Sequence, residues 1–131
     1  MTDAYIEVQG DTLEQAFEFA AKALVDTMVS LSTVVPASEE QIGVEGHDLE
    51  SLLYNWLETI MLKLLVDRRA LSDFRVSITK HNDMYALKAI VRGERFDVEK
   101  HQYKVEIKGV TYHLMKIEQN KTVMMRFLLD L

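Results

Sequence analysis

Residues 48–79 read DLESLLYNWLETIMLKLLVDRRALSDFRVSIT, and the spacing of apolar residues changes within that stretch. Leu49, Leu52, Leu53, Trp56, Leu57, Ile60, Met61, Leu64 and Leu65 recur at steps of three and four, the broad apolar face of a helix. Asp48 stands where an N-cap is needed, and the helix is expected to end near Val66. After Asp73 the period becomes two: Phe74, Val76 and Ile78 alternate with Arg75, Ser77 and Thr79, as along a half-buried strand.

The same two signals repeat outward. Upstream, Ala4–Val8 alternates as a short strand ending at Gly10. Asp11-Thr12-Leu13-Glu14-Gln15 then offers capping-box spacing for a helix carrying Leu13, Phe17, Ala20, Leu24, Met28 and Leu31 to about Ser30. Pro36 and Ser38 break that pattern, and residues 41–46 read as a short strand weakened by two glycines. Downstream, His81-Asn82-Asp83 is a turn signal before the alternation of Tyr85, Leu87, Ala89 and Val91, which Arg92-Gly93-Glu94 interrupts. A second hairpin is expected from Val110–Ile117 and Thr122–Leu129 around residues 118–121. Early helices followed by strands predict an α+β fold, two main helices packed on a mixed, largely antiparallel β-sheet. The sequence shows no internal repeat. Its 131 residues suffice for one domain spanning 1–131. Trp56 and the seven methionines read as core filler.

Composition narrows the chemistry. The absence of cysteine excludes disulfides, thiolate nucleophiles and Cys-ligated metals. No apolar run is long enough for a membrane span, which sets a cytoplasmic protein as the expectation. The net charge of −6 hides an uneven distribution: residues 1–67 carry −11 and residues 68–131 carry +5. A basic half can mark a nucleic-acid surface, and it can equally be the Lys/Arg rim of strands beside acidic helices. The four histidines lack the spacing of a local zinc site, and His47 and His81 fall at solvated turns.

Two groups of polar residues stand out. Asp3 precedes the first strand and Asp130 follows the apolar Phe127-Leu128-Leu129; if the first and last strands are neighbours, both acids converge with an oxygen of Leu131. Such oxygen-only donors suit a hard cation, Ca²⁺ or Mg²⁺. Frayed, solvated ends explain the same letters. The second group is Lys100, His101 and Lys104 in a loop, Glu106 and Lys108 on one face of an extended segment, and then Thr111, Tyr112 and His113. This polar surface can contact phosphate or a partner's active site, and a plain solvated strand face is the alternative.

These residues resemble those of a known family. Thr2-Asp3 with Gly10–Glu18, the helix Asp48–Glu58, the block Glu106-Ile107-Lys108-Gly109-Val110-Thr111-Tyr112-His113-Leu114-Met115 and the closing Leu129-Asp130-Leu131 are similar, in order, to the archease family. The resemblance implies a small accessory protein that assists the RtcB-type RNA ligase of tRNA splicing, promoting ligase guanylylation and multiple turnover, and not an enzyme itself. It also implies a chaperone-like modulator of tRNA-modifying enzymes such as a cytosine methyltransferase as the alternative role. By resemblance, Asp3, Asp130 and Leu131 hold a divalent cation, with Ca²⁺ expected and Mg²⁺ or Mn²⁺ admissible. Lys100 and Glu106 match functional positions, and His101, Lys108, Thr111 and His113 lie in the same block. The ligase is the implied partner, with tRNA met indirectly and no membrane. A small RNA-binding module is the competing class, and a hydrolase using Asp3, Glu106 and Asp130 lacks a nucleophile or motif. The chain departs from the family pattern in its short lead to Asp3 and in carrying Leu114 where many relatives have Asp or another polar residue.

Overall fold

The computed structural model describes residues 3–131; Thr2, which belongs to the N-terminal resemblance, lies outside the described residues. The chain runs β1 (Asp3–Gly10), α1 (Leu13–Met28), a single 3-10 turn (Leu31–Thr33), β2 (Ser38–Gly46), α2 (Leu49–Leu65), β3 (Arg69–His81), β4 (Met84–Arg95), β5 (Gly109–Gln119) and β6 (Val123–Asp130). The fold is α+β as expected. The expected mixed sheet is instead two three-stranded sheets, ordered β1-β6-β5 and β2-β4-β3, with every pairing antiparallel.

Helix starts follow the capping chemistry. The Thr12 hydroxyl accepts the Gln15 amide at 3.1 Å, and the Gln15 side chain accepts the Asp11 amide at 2.6 Å. At α2 the Asp48 carboxylate accepts the Ser51 amide at 2.7 Å while the Ser51 hydroxyl accepts the Asp48 amide at 3.2 Å. Those bonds to the Ser51 amide and then its hydroxyl, together with His47, hold the Asp48 carboxyl below its ordinary range against the opposing effect of burial.

Both helices touch both sheets, so they form the layer around which the sheets assemble. Trp56 sits at its centre, fully buried. Its indole N–H donates to the Phe17 carbonyl at 2.9 Å, and its ring meets Phe74 edge-on with centroids 6.1 Å apart. The Val76 amide on the outer edge of β3 donates to the Glu18 carboxylate at 2.8 Å, which pins α1 to that sheet.

The sequence reading missed a repeat. β1-α1 followed later by the β5–β6 hairpin has the same topology as β2-α2 followed by the β3–β4 hairpin: in each, the first strand pairs with the second hairpin strand. The second unit is inserted within the first. The strand-to-helix turns match as well, with Gly10-x-x-Leu13-Glu14 in one and Gly46-x-x-Leu49-Glu50 in the other. An added Cβ at Gly10 would lie 2.6 Å from the Ala16 amide, and one at Gly46 would lie 2.5 Å from the Leu52 amide. Each turn therefore needs a residue without a side chain to bring strand and helix together.

Three other expectations change. The segment expected to break at Arg92-Gly93-Glu94 is continuous strand to Arg95, because Gly93 fits against Ala70 where a Cβ would lie 1.9 Å from the carbonyl oxygen. β3 begins at Arg69, before the point where alternation becomes visible; a bulge between Leu71 and Asp73 hides the period. The weak strand at 41–46 is real and extends back to Ser38.

Candidate functional site

The β1–β6 register places Asp3 directly opposite Asp130, and β5 brings Gly109 to the other side of Asp130. Cross-strand partners in an antiparallel pair point to the same face, so two exposed carboxylates face each other at one end of this sheet. Neither takes part in an ion pair among the described residues. The Asp130 carbonyl accepts the Lys108 amide at 2.7 Å, which fixes the strand's last turn of backbone and brings Lys108 alongside. Two like charges directly opposite destabilise a sheet unless something neutralises them. The donor set is two carboxylates and, from Leu131, main-chain oxygen, which fits the chemistry of a hard cation that completes its shell with water. Among the described residues no group of three or more His, Asp or Glu side chains gathers as a metal site.

β5 does something unusual next to these acids. Thr111 pairs with Leu128, and pairing resumes only at Lys116 with Arg126. Residues 112–115 thus face Phe127 alone and arch away from the ladder. Leu114, within the arch, has φ 62°, a backbone state costing a non-glycine L-residue about 1–2 kcal/mol. It is held there by the Tyr5 hydroxyl, which donates to the Leu114 carbonyl at 3.1 Å, while the Thr111 hydroxyl accepts the His113 amide at 3.1 Å. Tyr112 stacks on Tyr54 with centroids 4.5 Å apart and planes 10° from parallel. Desolvation, then the nearby Asp48, Tyr54 and Glu58, push the Tyr112 phenol above its ordinary range.

The second group divides. Glu106 and Lys108 are exposed, and Ile107 between them is buried, as the alternation requires. Thr111 and His113 lie at the base and in the span of the arch. Lys104 is exposed and spans to α1, donating to the Asp26 carbonyl at 2.7 Å. His101 is different. Placed by the sequence reading among loop residues able to contact a partner, it is 0% exposed and lies under Phe96. Its Nδ1 accepts the Asp97 amide at 2.9 Å, so Nε2 carries the proton and donates to the Glu94 carboxylate at 2.8 Å. A ring enclosed in this way positions other groups and does not reach a partner.

Glu94 is the hub of that cluster. It accepts from His101, from the Lys100 ammonium at 2.8 Å and from the Val35 amide at 2.9 Å. The His101 N–H first, then Lys100 and Val35, draw its pKa down to about 2. Asp97 closes the neighbouring turn by accepting the Lys100 and Glu99 amides, which hold its carboxyl below the ordinary range. Lys100 is thus an anchored side chain, not a free one. Sequence reasoning missed Glu94 because it sits in the presumed break, and it missed the arch because an exposed Leu114 carries no polar signal. The Asp97 turn was detectable from Asp two and three residues ahead of backbone donors.

Taken together, two nested strand–helix–hairpin units, a pair of facing carboxylates and a strained arch define a small α+β domain with a built surface at one sheet end. The family expectation holds: the Archease protein family model matches residues 1–131, and the chain belongs to that family. It is similar to the protein archease of Pyrococcus abyssi, 45% identical over 117 residues that cover 89% of this chain and 82% of the relative. It is also similar to that of Sulfolobus acidocaldarius, 38% identical over 130 residues covering 98% and 92%. Among solved structures, the solution structure of Methanobacterium thermoautotrophicum protein 1598 superposes with a TM-score of 0.82 at 33% identity, covering 100% of this chain and 94% of that one. No helix among the described residues is long and apolar enough to cross a membrane.

Proposed function

We propose that the protein is an accessory factor of an RtcB-type RNA ligase in tRNA splicing, acting in the cytoplasm to promote ligase guanylylation and repeated turnover, with a divalent cation held by Asp3, Asp130 and Leu131. The observation that carries this reading is the register of β1 on β6, which sets two exposed carboxylates face to face beside the most distinctive block of the family resemblance. A cation bound there supplies local positive charge that stabilises developing negative charge on a partner's substrate. This chain's own residues supply the frame. Asp3 and Asp130 present the oxygens, the Lys108 amide fixes the backbone of Asp130, and exposed Glu106 and Lys108 flank it. Lys100 is kept in place by Glu94, with His101 behind it.

The test combines limiting ligase, GTP, Mn²⁺ and tRNA halves with the wild-type protein or Asp130→Ala. Wild type raises guanylylation and turnover; D130A, exposed and therefore folded, loses that stimulation. Full stimulation by D130A removes the cation from the reading, and no stimulation by wild type removes the ligase.

An RNA-binding module is the second reading, favoured by one observation. The outer face of the β2-β4-β3 sheet carries a shallow depression of about 590 Å³ where Arg75 and Lys88 stand beside Gly43, outside every ion pair among the described residues. That reading expects RNA affinity that falls steeply with salt and no ligase stimulation.

A further inference from the structure

Leu114 combines three properties that stability alone does not select. It is 56% exposed, its φ is positive, and a tyrosine hydroxyl from another strand holds its carbonyl in place. Tyr5 and Tyr112, each 52% exposed, stand beside it, Tyr112 stacked on Tyr54 of α2, so the arch presents an apolar surface at the free β5 edge of the β1-β6-β5 sheet. Strain of this kind persists where the surrounding structure enforces it, and it concentrates at ligand clamps and contact sites.

We propose that the Tyr112-His113-Leu114 arch is an apolar anchor for a partner protein, inserting Leu114 into an apolar recess whose rim carries Lys and Arg. The basic rim follows from what surrounds the arch. Asp48 and Glu58 lie near Tyr112; Lys108 is the base beside the near foot of the arch, and Lys116 and Arg126 at its far foot are already paired with Glu118 and Glu7. A nucleic acid fits poorly here. One face of Tyr112 is already covered by Tyr54, Leu114 offers no π-face, and the acids repel phosphate. An aliphatic tip held rigid before binding gives up little conformational freedom on docking, which is the advantage of a preorganised anchor.

The proposal rests on the ligase reading and names the ligase as the surface that receives Leu114. The experiment measures binding of RtcB-type ligase to wild type, Leu114→Asn and Leu114→Met, with thermal unfolding of each free protein and binding of a tRNA half as parallel measurements. Asn tolerates positive φ better than Leu, so L114N keeps its fold and its melting temperature does not fall far. Removing the buried aliphatic group weakens ligase binding about tenfold or more, and L114M restores most of it. Equal ligase binding by L114N and wild type overturns the anchor and leaves the ligase reading standing. A wild type that binds no ligase overturns both. Loss of tRNA binding in L114N with ligase binding intact also overturns the anchor, because it assigns the arch to nucleic acid.

Discussion

Replacing His101 by Phe keeps a ring against Phe96 and deletes both polar bonds, so it isolates what those bonds contribute. The Asp97 amide loses its acceptor in a part-buried site against the fully buried ring; orphaning such an amide costs about 1–3 kcal/mol. The bond to Glu94 is charge-assisted, but the Glu94 side chain is 18% exposed and partly recovers water, so its loss adds only about 1 kcal/mol. Together the change destabilises the fold by about 2–4 kcal/mol, and for a domain of this size that lowers the melting temperature by roughly 7–14 °C. The local signature is as specific as the magnitude. The His101 carbonyl accepts the Ser30 amide at 2.8 Å and the Asp97 carbonyl accepts the His101 amide at 2.9 Å, so the loop also secures the exit of α1. Hydrogen exchange at Ser30, Val35, Asp97 and Lys100 should accelerate together, while amides at the centre of β6 change only with global stability. A fall of less than about 1 kcal/mol, or unchanged protection at Asp97, would refute the reasoning that the His101 ring bridges Asp97 and Glu94.

Glu94 makes stability depend on acid in a defined direction. Its pKa falls from 4.5 to about 2 on folding, so its contribution is complete above 4.5 and is lost as pH drops through that window toward 2. The melting-temperature gap between wild type and Glu94→Gln should therefore narrow steadily from pH 5 to pH 2; a gap that stays constant refutes the assignment. Gly93→Ala places a methyl 1.9 Å from the Ala70 carbonyl oxygen, backbone that cannot step aside, and costs at or above the upper end of about 1–3 kcal/mol in urea unfolding. Gly43→Ala is the control: its Cβ meets nothing nearer than 3.9 Å, and strand propensity makes it stabilising by about 0.5 kcal/mol. Equal effects of the two substitutions would show that steric fit at Gly93 is not what carries β4 to Arg95.

Where local chemistry governs, the sequence was readable. Capping at Thr12 and Asp48, the apolar face of α2 and the alternation after Asp73 each depend on residues within one or two turns of chain. The convergence of Asp3 and Asp130 was also anticipated, since it needed only that the first and last strands be neighbours. What escaped depends on distant partners. Gly93 looks like a break until Ala70 is beside it. His101 looks like a loop side chain until Phe96 and Glu94 enclose it. The repeat of Gly-x-x-Leu-Glu is five residues long and its two copies stand 36 residues apart, too little for pattern alone to raise above chance. Leu114 is the instructive case: its letter argues for burial, and only backbone geometry reveals that it is held outward.

The insertion of one strand–helix–hairpin unit inside the other has a kinetic meaning. β2, α2, β3 and β4 are contiguous from Ser38 to Arg95, where the widest pairing, Ser38 with Gly93, spans 55 residues, whereas the sheet β1-β6-β5 must join residues 3–10 to residues 123–130. Pairings of such separation form late, because the entropy of closing the long loop precedes any gain from the contacts. Asp3 and Asp130 are the outermost rung of that last-formed ladder. A cation bridging them would act as a clasp on the longest loop in the molecule, slowing unfolding more than it speeds folding, and its site would exist only in chains that have completed the entire fold.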